Sequence, residues 1–176
     1  MRIEELKTPC YVIDEARLEK NLKILKQVKE NTGCRILLAQ KAFSCFTEYP
    51  LIGRYLDGTT ASGLYEARLG REEMGLENHV FAPAYKEEDF KELVEICDHI
   101  VFNSFSQLEK YKDGLNRVSA GIRINPQCST QEGHEIYDPC APGSRLGISI
   151  DNFKEEWLPW ISGSISTPCV SRIPMI

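Results

Sequence analysis

The chain lacks an excess of positive charge and has no long apolar run. Its 21 Lys and Arg are outnumbered by 26 Asp and Glu, for a formal net charge of −5. Nucleic-acid binders carry a basic patch or stripe, and this balance argues against one. No apolar stretch approaches the roughly 18 residues of a membrane span. The opening MRIEELKTPC has no apolar core of a secretory signal. Cytoplasm is therefore the expected compartment. The glycine fingerprints GxGxxG and GxxxxGK are absent, which removes the usual nucleotide loops. The seven cysteines, among them Cys10, Cys34 and Cys169, are odd in number and include no CxxC pair. Without export, reduced thiols are expected rather than a disulfide framework. Histidine is scarce: only His79, His99 and His134. None sits at the short Cys/His spacings of a zinc site, so no metal is expected.

What is present is material for a core. Apolar residues make up 42% of 176 positions, and that length alone suggests one domain. Short apolar runs alternate with helical patterns. CYVID (10–14) reads as a strand. Residues 15–30 read as a helix with Leu18, Leu22, Leu25 and Val28 on one face, Asp14 at its start and Gly33 at its stop. RILLAQK (35–41) reads as a buried strand ending in a lysine. A helix over 47–56, a strand at 58–62 and a helix to Met74 follow. The next strand is HVFAPA (79–84), then the amphipathic helix EEDFKELVEIC (87–97) with Phe90, Leu93, Val94 and Cys97 on one side. HIVFNS (99–104) is a strand, and Ser106 with Glu109 suggests a capping box for the helix after it. SAGIRINP (119–126) closes the series. A Gly/Pro-rich loop then runs to about residue 144.

Five strands separated by helices imply parallel βα units. Their near-continuous apolar character suits strands covered on both faces. A doubly wound sheet and a (β/α)8 barrel both fit. In a barrel the working groups stand at the carboxyl ends of the strands. Those ends carry Lys41, Ser62, Pro83 with Tyr85, Asn103 with Ser104, and Arg123 with Asn125. His79 and His99 open their strands at the opposite end and read as structural. Lys41 is the sharpest candidate. A lysine closing a central strand would be partly buried, which leaves a nucleophilic amine suited to a Schiff base with pyridoxal phosphate. The same pattern also describes a solvated strand-end lysine.

TPCYVID followed by a helix and then LLAQKAF resembles the fold-type III pyridoxal-phosphate enzymes. YLDGTTASGLYEARLG (55–70), VFAPAYKEEDF (80–90), HIVFNSFSQLEKY (99–111), GIRINPQ (121–127) and DPCAPGSRLGI (138–148) follow in order. Together they are similar to the carboxynorspermidine (carboxyspermidine) decarboxylases, over residues 8 to about 163. The resemblance implies an alanine-racemase-like (β/α)8 barrel, here incomplete, with about five βα units. It implies decarboxylation of a carboxy-polyamine in spermidine-type biosynthesis, with pyridoxal 5′-phosphate as cofactor and a homodimer for the intact enzyme. Lys41 matches the lysine that carries the cofactor. Arg145, in SRLG, matches an arginine near the cofactor's phenolic oxygen, and also reads as a surface arginine. Arg123 matches an arginine facing the cofactor, with a structural role equally open. Ser62 and Glu66 either line the pocket or cap the next helix. His134, Tyr137 and Cys140 lie in the loop 127–144, which reads as a lid over substrate or as a plain surface loop.

The resemblance also implies a division of the chain. Residues 1–14 would pair with a second, β-rich domain, and 15–163 would form the partial cofactor-binding barrel. The family's next strand bears a histidine that stacks on the cofactor, whereas this chain continues SISTPCVSRIPMI. Deleting one base from plausible codons for the family strand reproduces Ser164 to Met175, so 164–176 reads as a frameshifted tail. On this reading the strands at 35–41 and 119–126 are left as open edges, and the chain as written is expected to lack turnover. A non-catalytic, single-domain pyridoxal-phosphate carrier is the alternative.

Overall fold

The computed structural model describes residues 3–128 and 138–166. Helix α1 (Glu15–Thr32) starts where Asp14, in extended backbone, accepts the Arg17 N–H at 3.1 Å. This satisfies one of the donors a helix start leaves unpaired. It ends at Gly33, whose φ of 72° is the left-handed conformation a side chain disfavours. Of its apolar stripe, Leu22 is buried and Leu18 half-buried, while Leu25 and Val28 stay exposed.

Among the described residues six parallel strands follow, hydrogen-bonded in chain order: β1 (Leu37–Ala39), β2 (Gly58–Ala61), β3 (Glu77–Phe81), β4 (His99–Phe102), β5 (Ser119–Ile124) and β6 (Gly163–Ser166). They form a half-barrel. Helices α2 (Tyr49–Ile52), α3 (Leu64–Leu69), α4 (Glu87–Ile96) and α5 (Phe105–Tyr111) lie between them. Parallel register puts alternate residues of neighbouring strands on the same face. Ala61, Val80, Ile100, Phe102, Ala120 and Ile122 pack with Phe90 and Leu93 of α4 and Leu108 of α5. Phe90, Phe102 and Tyr111 form an aromatic group there, with Phe90 and Tyr111 stacked at 4.1 Å. Each fully buried side chain of this size contributes about 1.5–3 kcal/mol. Leu38 packs likewise against the α1–α2 cluster of Leu22, Tyr49 and Ile52. Two polar residues on this face are satisfied internally. Asn78 accepts from Thr59 Oγ1 at 3.1 Å and donates to the Ala67 and Ile96 carbonyls. Gly70 makes this possible: a Cβ there would meet Thr59 Oγ1 at 2.3 Å.

Several sequence expectations are corrected. Residues 10–14 form no strand; Tyr11 and Val12 are exposed, and their backbone pairs with nothing among the described residues. The strand at 35–41 shortens to three residues; it lies at the sheet edge, as expected of an incomplete barrel, and not at the centre. The helix at 47–56 is a 3₁₀ turn, Phe46–Glu48, running into the short α2. The cap of α5 is Ser104, two residues before the expected position. Its Oγ accepts the Gln107 N–H, while the Gln107 side chain accepts the Asn103 N–H at 2.8 Å. The strand at 119–126 is no open edge. β6 pairs with it from Gly121↔Gly163 to Ile124↔Ser166, and Ser162 donates to the Ala120 carbonyl. β6 is mostly exposed, so backbone pairing rather than side-chain burial holds it. An unpaired strand edge accepts almost any extended segment. Residues 167–176, including Cys169, lie outside the described residues.

Candidate functional site

The face of the sheet opposite the helices carries different chemistry. Register places Thr60, Glu77, His79, Phe81, His99, Val101 and Arg123 on it. Accordingly β3 alternates buried and half-buried positions instead of being apolar throughout.

Lys41 stands two residues past β1, in a turn that Ala42 and Phe43 close by donating to the Ala39 carbonyl. It is exposed, as in the solvated strand-end reading and not the partly buried one. The cause is its place on an edge strand. No described residue pairs with its amine. Ser62 directly follows β2 and is also exposed. Its N–H donates to Glu66 Oε2 at 2.7 Å, so Glu66 caps the start of α3.

Arg123 is 7% exposed, with its guanidinium 4.8 Å from the centre of the Phe81 ring. Among the described residues no carboxylate pairs with it, and burial lowers its pKa from the usual arginine value. A buried cation is costly unless it is paired, and a ring face offsets only part of that cost.

The loop's return segment is built over the end of β5. Asn125 donates to the Ile148 carbonyl and Ile148 to the Arg123 carbonyl. Asn103 clamps the same segment: its Nδ2 donates to the Arg145 carbonyl and its Oδ1 accepts the Gly147 N–H, both at 2.8 Å. Gly147, at φ 81°, leaves no room for a side chain beside Asn125 N. Arg145 is thereby fixed at the carboxyl ends of β4 and β5, its side chain exposed. It lines a cavity of about 740 Å³ with Asn103, Ser104, Asn125, Gly147 and Cys140. Cys140 is buried there, and burial raises its thiol pKa. His134 and Tyr137, the other two loop candidates, lie outside the described residues.

The structure therefore gathers Arg145, Asn103, Asn125 and Arg123 around one end of β4 and β5, with Lys41 and Ser62 at the same end of β1 and β2. No hydrogen bond or ion pair joins Lys41 to Ser62, Arg123 or Arg145. Tyr85 departs from the set. Its hydroxyl takes the Ala82 N–H and donates to the Val101 carbonyl at 2.8 Å, and burial pushes its pKa up strongly. It braces backbone. Sequence reading missed the clamp of Asn103 and the ring of Phe81. Alternation along β3 and β5 is the signal that would have put Phe81 and Arg123 on one face.

Fold and site define a parallel α/β half-barrel with a free lysine at the carboxyl end of its first strand. That fold is shared with a diaminopimelate decarboxylase from M. jannaschi at a TM-score of 0.64 and 18% identity, over 93% of this chain and 42% of that one. In sequence, the chain is similar to carboxynorspermidine/carboxyspermidine decarboxylases. It is 39% identical to that enzyme of Campylobacter jejuni over 163 residues, and 40% identical to a carboxyaminopropylagmatine decarboxylase of Synechocystis over 149. These matches cover 93% and 84% of this chain but 42% and 38% of the relatives. The chain thus spans about two-fifths of their length. A crystal structure of carboxynorspermidine decarboxylase from C. jejuni, complexed with norspermidine, superposes at a TM-score of 0.82 with 34% identity, over 92% of this chain and 41% of that one. No family model matches the chain. Among the described residues no helix is long and apolar enough to cross a membrane.

Proposed function

We propose that this chain carries the lysine-bearing part of a pyridoxal-phosphate-dependent decarboxylase acting on carboxynorspermidine or carboxyspermidine. The observation that carries the reading is the pair formed by Lys41 and Arg123. Among the described residues, one is an unpartnered primary amine at the carboxyl end of β1 and the other a buried guanidinium without a carboxylate. An aldehyde cofactor with anionic groups matches both. Lys41 would hold it through its aldehyde. Arg123 and the clamped Arg145 offer cationic groups to its oxygens. When bound, the cofactor supplies an electron sink for the pair released as carbon dioxide leaves. Phe81 fixes Arg123, and Asn103 fixes the backbone that presents Arg145.

The resemblance adds the finer parts of the reading: a homodimeric, cytoplasmic enzyme in polyamine synthesis. The frameshift after Gly163 belongs to the same reading. The exposure of Lys41 leaves its amine in contact with water, so the 176-residue chain is expected to take up cofactor without sustained turnover. The test is incubation with pyridoxal phosphate, borohydride reduction and peptide mapping, together with an assay for norspermidine formed from carboxynorspermidine. Label on Lys41 that is lost in Lys41→Ala supports the reading. Absence of label on Lys41 overturns it. The product assay then separates a decarboxylase from a non-catalytic carrier.

A further inference from the structure

The other end of the open face holds a second cluster. Glu77 and His79 lie at i and i+2 on β3, so both project to the same face. His99 on β4 is the direct register partner of His79. The two imidazole rings lie 4.1 Å apart at 41°. His79 Nε2 is 2.7 Å and His99 Nε2 3.2 Å from the same atom, Glu77 Oε1. All three donor atoms fall within 4.8 Å of one another. The second carboxylate oxygen, Oε2, forms an ion pair with Arg35 Nη2 at 2.6 Å, a contact without hydrogen-bond alignment. Arg35 thus orients the carboxylate from outside and leaves Oε1 to the histidines.

We propose that Glu77, His79 and His99 form a binding site for a borderline divalent cation of the zinc type. Two imidazoles and one carboxylate oxygen are a donor set zinc takes in three-ligand sites, where a fourth position stays open to water. Oriented outer partners such as Arg35 are a regular feature of such sites. Two neutral imidazoles and one carboxylate place a formal charge of −1 on the donors, which the Arg35 guanidinium on Oε2 partly offsets. A cavity of about 440 Å³ beside Glu77 and His99, lined also by Arg35, Arg71, Leu76 and Asp98, supplies an entry path from the amino ends of the strands. The cation would tie β3 to β4 at the end opposite Lys41, so the inference stands independently of the cofactor. Sequence spacing concealed it because 20 residues separate His79 from His99, and only strand register brings them together.

The test is titration of the purified, metal-stripped chain with Co2+, followed by its visible absorption, with Zn2+ as competitor. The expected result is one equivalent bound, with ligand-field bands, no thiolate charge-transfer band, and displacement by Zn2+. His79→Gln, His99→Gln and Glu77→Gln should each weaken binding at least about tenfold, the loss that even outer partners of a metal cause. Zn2+-dependent shifts of the His79 and His99 imidazole resonances in the unaltered chain read the same site without any substitution. No cobalt uptake, uptake through the exposed Cys10 and Cys34, or unmoved imidazole resonances would overturn the proposal.

Discussion

The two faces of one sheet make the instructive contrast. Towards the helices, Val80, Ile100, Phe102 and Ile122 are almost fully buried among apolar neighbours, and the polar Thr59 and Asn78 have hydrogen-bond partners. On the opposite face the same strands offer Glu77, His79, His99 and Arg123, and Arg123 is buried with no carboxylate partner among the described residues. Both faces use the same backbone and register. One excludes water, and the other is the face on which the proposed ligands would sit. A buried charge left without a counter-charge is a cost that stability alone does not explain.

The largest effect should come from the helix-facing side. Phe102→Ala removes a fully buried ring from the aromatic group and should cost about 3–5 kcal/mol in urea unfolding. A loss below about 1 kcal/mol would break the contrast.

Next is Asp57, which ties α1 to the junction of β1 and β2. Its carboxylate lies 2.8 Å from Lys29 Nζ and accepts the Ile36 N–H at 2.7 Å. Partial burial pushes its pKa up, but Lys29 and the Ile36 N–H outweigh that and hold it below the usual 3.8. A depressed carboxylate stabilises the fold fully above about 3.8, and the gain disappears as pH falls through the folded value. Asp57→Asn should cost about 1–3 kcal/mol at neutral pH. It should also flatten the fall in stability below pH 3.8, followed by acid-dependent unfolding. Ser104→Ala removes the α5 cap and should cost about 1 kcal/mol in the same assay.

The smallest effect on stability is expected on the open face. Arg123→Met replaces an unpaired buried cation by an apolar chain of similar reach. It should leave urea stability unchanged or raised, as replacing buried charges often does. A loss like that of Phe102→Ala would make Arg123 a plain core residue.

Much of this was legible beforehand. Alternating strands and helices, Asp14 and Gly33 at the ends of α1, and the strand-end positions of Lys41, Ser62 and Asn103 all follow from local pattern. What escaped depends on distant pairing. HVFAPA and HIVFNS read as apolar runs because adjacent letters belong to opposite faces, so the open face was hidden. CYVID has strand composition, but a strand exists only with a partner, and residues 10–14 have none among the described residues. Ser164–Ser166 has little strand character, yet it pairs because β5 offers an edge. The Asn103 clamp spans 42 and 44 residues to Arg145 and Gly147, beyond any local pattern.

The most direct test compares borohydride-fixed pyridoxal-phosphate labelling of Lys41 in the unaltered chain and in Arg123→Met, at matched stability. If the open face is the working face, Lys41 is labelled ahead of the other lysines, and Arg123→Met lowers that label severalfold while the surface lysines are unaffected. Labelling spread over the lysines according to exposure alone, and indifferent to Arg123→Met, would contradict it.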